Sequence, residues 1–223
     1  MCKIVLVVAA HSDDEVLGCG GTIARHVAEG DIVHVVILAD GVSSRQNFVT
    51  EELSLRLSAA EQSCQILGVN KLHYLGLPDN RLDGIPLIDI IQPLERVISE
   101  VLPEIIYTHH HGDLNIDHRI THQAVLTACR PTPGSSVREI YAFEVMSSTE
   151  WATPENMPFS PNVFIDISHY LSVKISALHA YESEMRDEPH SRSIRHIEYL
   201  AMHRGWSVGL DAVEAFMTVR VVR

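Results

Sequence analysis

The sequence lacks paired cysteines, long apolar runs and an excess of positive charge. Its four cysteines lie far apart and form no CxxC pair, which predicts free thiols in a reducing compartment. No apolar stretch approaches the roughly 20 residues of a membrane span, and the start of the chain has no pattern of a secretory leader. The formal net charge of −12 argues against nucleic acid or an anionic membrane surface as the main partner. These absences favour a cytoplasmic protein that acts on a small molecule, and they leave a homo-oligomer open.

What is present is an ordinary hydrophobic content, 46% of 223 residues, which is enough for one domain spanning residues 1–223. Short apolar runs alternate with amphipathic segments, a pattern typical of βαβ units and a parallel sheet. The predicted strands are 3–10, 31–40, 71–77, 104–110, 138–145, 162–167 and 214–221. The predicted helices are 22–29, 49–67, 86–101, 117–130, 168–186 and 193–203. The order of elements therefore predicts an α/β fold with a mostly parallel sheet.

Polar residues follow the predicted strands, at the edge where open parallel sheets bind their ligands. The strand ends carry His11-Ser12-Asp13-Asp14, Asp40-Gly41, Pro78-Asp79-Asn80 and the segment from His109 to His118. Because the carboxyl ends of parallel strands meet at one edge, we expect these side chains to converge. The chain also has an unusual number of histidines, 14, and three of them form the run at 109–111.

The stretch HSDDEVLGCGG, residues 11–21, combines histidine and acids at the entry of a helix. His11 and Asp14 are close enough in sequence to bind one cation, and imidazole with carboxylate suits zinc, although another divalent metal is open. His118, in the first turn of a later helix, is placed to complete a triad. Asp13 can then accept a proton from water. An acidic first helical turn explains the acids through the helix dipole, but it does not explain the histidine.

The glycines of GCGGT, residues 18–22, give a rival interpretation because they resemble a dinucleotide fingerprint. That reading makes the protein a non-catalytic nucleotide- or sugar-binding module. However, the GxGxxG pattern requires glycine where the chain has Ile23. The charged residues 11–15 also occupy the space of a pyrophosphate. Close packing of helix against sheet accounts better for these glycines.

AHSDDEVLGCGG, followed by DLNIDH, resembles the two motifs of the metal-dependent GlcNAc-PI de-N-acetylase (LmbE-like) family. LGLPDNRLD (75–83) and the helical segment 56–69 resemble further parts of that family, over roughly residues 3–130 in total. The resemblance implies a Rossmann-like three-layer fold with helices on both faces of the sheet. It also implies zinc-dependent hydrolysis of an N-acetyl group on an amino sugar. By position it assigns His11, Asp14 and His118 as metal ligands and Asp13 as the general base.

The resemblance assigns further residues by position. Asp117 matches the acid beside the last ligand, and Arg56 and Asp79 fall where the family contacts the sugar. Many members have histidine at the position of Asn115, where it assists at the oxyanion or the leaving amine. Asparagine can donate a hydrogen bond to an oxyanion, but it cannot transfer a proton. We therefore predict that Asn115 is a catalytic residue, together with Asp13 and Asp117.

The proton for the leaving amine must then come from the histidine run or from Asp13 itself. Within that run we place His110 among the substrate-binding residues. Beyond Arg130, Glu144, Trp151 and Arg192 stand in polar clusters that are candidates for substrate specificity. Each of them has a structural alternative. Glu144 can be a buried paired acid, Trp151 can serve simple packing, and Arg192 can be an exposed arginine. The sequence thus predicts a zinc-dependent de-N-acetylase, with a zinc hydrolase of another small amide as the closer alternative.

Overall fold

The computed structural model describes residues 2–44, 50–153 and 157–223. The strands are β1 (Ile4–Ala9), β2 (Ile32–Ala39), β3 (Lys71–Leu77), β4 (Ile105–His109), β5 (Glu139–Phe143), β6 (Val163–Asp166) and β7 (Val213–Val221). The helices are α1 (Asp14–Ala28), α2 (Thr50–Leu67), α3 (Leu87–Val101), α4 (Ile116–Ala128), α5 (Leu171–His179) and α6 (Ile194–Trp206). Of the helices described, none is long and apolar enough to cross a bilayer.

All seven strands form one sheet in the order β3-β2-β1-β4-β5-β7-β6. The pairs from β3 to β5 are parallel, whereas β7 runs antiparallel to both β5 and β6. The strand order reverses direction at β1, which lies between β2 and β4. Ligand sites in open α/β sheets lie at such a switch point, outside the carboxyl ends of the strands. The topology therefore places the ends of β1 and β4 side by side at the expected position of a site.

The sheet is covered on both faces, as a parallel sheet of apolar strands requires. In β1, Val5 and Val7 pack into a cluster with residues of α1, α2 and α5. The alternate residues Leu6 and Val8 pack into a second cluster with residues of α3 and α4. Because successive side chains of a strand point to opposite faces, the two clusters are the two faces of one sheet. The predicted three-layer α/β fold is confirmed.

Helices α1 and α5 differ most from their predicted bounds. Helix α1 begins at Asp14 and not at residue 22, and its backbone leaves helical geometry only at Cys19. Gly18, Gly20 and Gly21 have low helix propensity, so the sequence pattern predicts a helix start after them. Helix α5 ends at His179, and a separate 3₁₀ turn follows at Glu182–Glu184. The predicted start of the second helix at residue 49 lies outside the described residues.

The break in α1 is supported by a buried ion pair from distant parts of the chain. The Glu214 carboxylate of β7 accepts hydrogen bonds from the backbone N–H groups of Gly21 and Thr22, at 3.0 and 2.7 Å. Lys174 of α5 donates to Glu214 at 2.6 Å and to the carbonyl of Leu17 at 2.9 Å. Glu214 thus serves the amides that follow the break in the way that an N-terminal cap does.

The glycines of α1 are required by packing. A Cβ atom on Gly18 would lie 2.3 Å from the ring of Phe143, and one on Gly21 would lie 2.8 Å from Ile167. Such distances are far shorter than van der Waals contact between carbon atoms. The explanation of these glycines by close helix–sheet packing is therefore confirmed.

Candidate metal centre and active site

The turn that joins β1 to α1 brings His11 and Asp14 together, and α4 adds His118. The Asp14 Oδ2 atom lies 3.2 Å from His11 Nδ1 and 3.2 Å from His118 Nε2. The backbone N–H of His11 also donates to this oxygen at 2.9 Å. All three side chains are buried, and their ligand atoms lie within 4.8 Å of one another. Two imidazoles and one carboxylate in this arrangement form a donor set that fits a catalytic zinc ion.

The ring nitrogens that point away from Asp14 face other carboxylates. His11 Nε2 lies 3.2 Å from Asp117 Oδ2 and 3.3 Å from Asp79 Oδ1. His118 Nδ1 lies 3.2 Å from Asp113 Oδ1. Histidines that bind a metal commonly donate their second ring N–H to such a carboxylate, which fixes the ring and its tautomer. Both imidazoles therefore have the outer partners that a metal-binding histidine needs.

The charges around the cluster favour a cation. Burial opposes a positive charge on His11, but hydrogen bonds with Asp117 and Asp14 raise its pKa to about 10. Burial likewise opposes the charge on His118, but Asp14 and Asp113 raise its pKa to about 9. The Asp14 Oδ1 atom is buried and has no hydrogen-bond partner among the described residues. The buried carboxylates around the two histidines and the unpartnered Oδ1 atom of Asp14 both favour the binding of a divalent ion.

Asp13 occupies a backbone conformation that residues other than glycine rarely adopt, with φ 107° and ψ −30°. Its Oδ2 atom accepts a hydrogen bond from Arg192 Nη1 at 3.0 Å, and Arg56 Nη2 lies 3.7 Å away. Its Oδ1 atom is buried without a partner among the described residues. Burial raises the pKa of Asp13, and the two arginines act in the opposite direction. A buried carboxylate with one free oxygen beside the metal cluster can accept a proton.

The sequence model of the GlcNAc-PI de-N-acetylase family matches residues 6–129, more than half of the chain. The chain belongs to this family. The match confirms the resemblance seen in the motifs and the prediction of an enzyme of the deacetylase class. It includes all three candidate ligands, whereas Arg192 lies beyond it.

The individual relatives include named deacetylases and one protein named for another reaction. The uncharacterized deacetylase YaiS of Escherichia coli K12 is 31% identical over 187 residues, which cover 81% of this chain and 91% of that protein. The solved structure of N,N'-diacetylchitobiose deacetylase from Pyrococcus horikoshii superposes with a TM-score of 0.80 at 22% identity, over 98% of this chain and 84% of that one. The 4-oxalmesaconate hydratase of Pseudomonas putida is 30% identical over 195 residues, covering 79% and 72% respectively. The relatives of this chain therefore include a protein named for a different reaction.

The two residues assigned to sugar binding from the family pattern lie close to the metal cluster. Arg56 is buried, donates to the carbonyl of Ser12 at 2.6 Å and forms an ion pair with Glu184. The carboxylate of Asp79 accepts a hydrogen bond from the Ser44 hydroxyl, and its Oδ1 atom faces His11. The backbone N–H of Asp79 donates to Ser43 Oγ at 3.0 Å. The structure thus shows both as parts of the wall around His11 and Asp13. Their contact with a sugar stays a prediction.

Asn115, which departs from the family pattern, is the N-terminal cap of α4. Its Oδ1 atom accepts a hydrogen bond from the backbone N–H of Asp117 at 2.8 Å, and its Nδ2 donates to Asn80 at 3.2 Å. The carboxylate of Asp117 in turn accepts from the N–H of Leu82 at 3.0 Å and faces His11. Asn115 therefore positions Asp117 through the helix start. A catalytic role for either residue stays a prediction.

The three consecutive histidines have different surroundings. His109 is buried and stacks on His118, with ring centroids 3.9 Å apart, and its Nε2 accepts from the N–H of Ala10 at 2.9 Å. Burial lowers its pKa well below the usual range, so it is neutral. His110 bonds the carbonyl of Met157 at 2.8 Å, and its place in substrate binding stays a prediction. His111 packs against the ring of His122.

Sequence reasoning missed Asp113 as part of the site. Asp113 is fully buried and accepts hydrogen bonds from Thr149 Oγ1 at 2.6 Å, from the N–H of Asn115 at 2.9 Å and from Ser148 Oγ. Despite burial, these bonds and His118 lower its pKa to about 2. Its signal in the sequence is an acid five residues before a proposed ligand, GDLNIDH. The hydroxyl partners come from the segment after β5, which no local pattern connects to it.

The candidates for specificity have separate environments. Arg192 donates a hydrogen bond to the carboxylate of Asp13, the candidate general base. This contact places Arg192 beside the active site. Glu144 forms a two-point ion pair with Arg204, at 2.9 and 2.8 Å. This contact supports the alternative that Glu144 is a paired acid. Trp151 is 55% exposed and lies against the edge of His190. These positions leave Trp151 accessible to a ligand.

Proposed function

We propose that the protein is a zinc-dependent deacetylase that removes the N-acetyl group of a small amino-sugar substrate. The single observation that carries this proposal is the convergence of His11, Asp14 and His118 with the Asp13 carboxylate beside them. The family description, which names a de-N-acetylase of an N-acetylglucosamine conjugate, supports the substrate class. One domain over residues 1–223 and a cytoplasmic location belong to the same proposal.

In this proposal His11, Asp14 and His118 hold the ion. A divalent ion held there would supply Lewis-acid chemistry, which polarises an amide carbonyl and lowers the pKa of water towards ~7. Asp113 and Asp117 keep the two imidazoles in the orientation in which one ring nitrogen faces the ion. The neutral His109 forms the wall behind His118, because its Nε2 is fixed by a backbone N–H.

Asp13 moves the protons of the reaction. It takes a proton from water as the oxygen attacks the amide carbon, and it returns that proton to nitrogen as the C–N bond breaks. Hydrolysis then yields acetate and the free amine. His109 does not replace it as the acid in this proposal, because its Nε2 atom accepts the N–H of Ala10 and therefore carries no proton to donate. The unpartnered Oδ1 atom of Asp13 is the atom available for this transfer.

The metal site is tested by elemental analysis of protein purified without added metal, which should contain about one divalent ion per chain. His11→Ala, Asp14→Ala and His118→Ala should each lose the ion. The exposed histidine variant His196→Ala is the matched control and should keep it. Unchanged metal content in all three ligand variants would refute the site.

The reaction is tested by release of free amine from a panel of N-acetylhexosamine derivatives. Asp13→Asn should retain metal and fold but lose ~10²-fold or more in turnover, the usual scale for a general base. Because one relative is named a 4-oxalmesaconate hydratase, hydration of 4-oxalmesaconate is measured in parallel. Hydration without amine release would replace the deacetylase proposal, and amine release from simple N-acetyl amides alone would replace the sugar.

A further inference from the structure

The segment that follows α5 reaches Asp13 from beyond the family match. Three of its side chains contact the surroundings of this residue. Arg192 bonds the Asp13 carboxylate directly, and Glu184 pairs with Arg56. Tyr181 contacts it indirectly, through Glu15. This indirect contact concerns the backbone of Asp13 and not its carboxylate.

The side chain of Glu15 holds the backbone N–H of Asp13. Its Oε2 atom accepts the backbone N–H of Asp13 at 3.0 Å, and the carbonyl of Asp13 accepts the N–H of Leu17 at 2.9 Å. A positive φ at a residue other than glycine is strained and persists only where surrounding bonds impose it. The peptide groups on both sides of Asp13 are therefore held by hydrogen bonds. Side chains supply two of these bonds: Glu15 accepts the Asp13 N–H, and Arg56 donates to the Ser12 carbonyl of the same peptide group at 2.6 Å.

The Glu15 carboxylate is itself held by Tyr181. The Tyr181 hydroxyl donates to Glu15 Oε1 at 2.6 Å, and the ring is 1% exposed within the core cluster of α1, α2 and α5. Glu15 is also fully buried, so solvent does not replace a lost partner. Each carboxylate oxygen thus has one defined donor, Tyr181 on one side and Asp13 on the other. Removal of the hydroxyl frees the carboxylate to turn away from the Asp13 N–H.

From this geometry we propose that Tyr181 is a positioning residue for the reaction, acting through Glu15 to keep the Asp13 backbone in its catalytic conformation. The inference rests on the proposed role of Asp13 as general base. A displacement of about 1 Å at a reacting group costs up to ~10²-fold in rate. Tyr181→Phe should therefore lower kcat by roughly tenfold or more, while KM and metal content stay unchanged.

The matched control is Tyr107→Phe. Tyr107 is likewise buried, at 2% exposure, and its hydroxyl bonds His26 Nε2 at 3.0 Å, away from Asp13. Both variants lose one buried hydroxyl and should lose a similar amount of thermal stability. Only Tyr181→Phe should lower kcat. In a Glu15→Ala background, Tyr181→Phe should cause no further loss, because the carboxylate through which it acts is gone.

Backbone amide exchange gives a readout that does not depend on any substrate. In Tyr181→Phe the Asp13 N–H should exchange at least tenfold faster, and in Tyr107→Phe it should not change. A protein that deacetylates nothing would refute the proposed function, and the exchange rates would still decide the link from Tyr181 to Asp13. Equal losses of stability in the two variants, with kcat and Asp13 exchange both unaltered, would overturn the inference.

Discussion

Replacement of Asp113 by asparagine should weaken metal binding without a change in any metal ligand. All the groups around this carboxylate are hydrogen-bond donors or can act as donors: the hydroxyls of Ser148 and Thr149, the N–H of Asn115 and the Nδ1 of His118. An asparagine has the same shape, but its amide nitrogen offers two further donors. In Asp113→Asn the negative charge is lost, and the position that becomes NH₂ no longer accepts from its present donor.

The magnitude follows from the charge interaction. The ionised carboxylate of Asp113 has a pKa of about 2, against 3.8 for a free side chain. At ~1.4 kcal/mol per unit, its surroundings stabilise the charged form by roughly 2 kcal/mol. Loss of a carboxylate behind a metal-binding histidine typically costs 10–100-fold in affinity, which is about the same free energy. We therefore expect a dissociation constant higher by one to two orders of magnitude.

The assay is a competition titration of the metal-free protein with zinc and a chromophoric chelator. Asp166→Asn is the matched control, because Asp166 also accepts from a backbone N–H and a serine hydroxyl, both of Ser168, but at the end of β6. The control should bind zinc as the wild type does. Equal affinity in Asp113→Asn and wild type would show that His118 needs no carboxylate partner, and the reasoning about the outer carboxylates would fail.

Three further predictions concern pH, the helix cap and the buried ion pair. Burial lowers the pKa of His122 from 6.5 to about 4, so the unfolded chain binds more protons between these values. Because of His122, the free energy of unfolding of the metal-free protein should fall by roughly 3 kcal/mol as pH falls from 7 to 4. In urea unfolding of His122→Gln, the decrease over the same pH range should be smaller by that amount. Asn115→Ala should lower the free energy of unfolding by ~1 kcal/mol because the helix cap is lost, whereas Asn115→Asp should keep the cap. A fall in kcat for both variants would identify the Asn115 amide as a hydrogen-bond donor in the reaction. A normal kcat in Asn115→Asp would exclude that role. Lys174→Met leaves Glu214 as an unpaired buried charge and should cost ~3–5 kcal/mol in urea unfolding, and a loss below 1 kcal/mol would contradict that assignment.

The sheet and the metal triad were predictable because each depends on local sequence pattern. Apolar runs with polar ends specify parallel strands and the edge at which they finish, so His11 and His118 meet although they are far apart in the chain. The start of α1 was not predictable in the same way, because the glycines at 18–21 carry low propensity and the bonds that support the helix come from Glu214 and Lys174. Tertiary contact overrides propensity at that point.

The outer parts of the site escaped prediction for a related reason. Asp113 appears in the sequence as one more acid in a loop, and its hydroxyl partners lie in a segment that the chain reaches only after β5. Asn115 was read from the family pattern as a group at the oxyanion, whereas its capping bond follows from its position just before α4. The pattern of residue types identifies ligands, but hydrogen bonds between distant loops decide what holds them.

The dependence of α1 on Glu214 has a consequence for synthesis of the protein. The capping carboxylate is made 193 residues after the first amide that it serves. At a translation rate of ~5–20 residues per second, the turn that carries His11 and Asp14 waits roughly 10–40 s on the ribosome for this partner. Strand β7, which carries Glu214, also inserts between β5 and β6. The bonds that support α1 after its break are therefore complete only once β7 has joined the sheet, long after synthesis of the turn that carries His11 and Asp14.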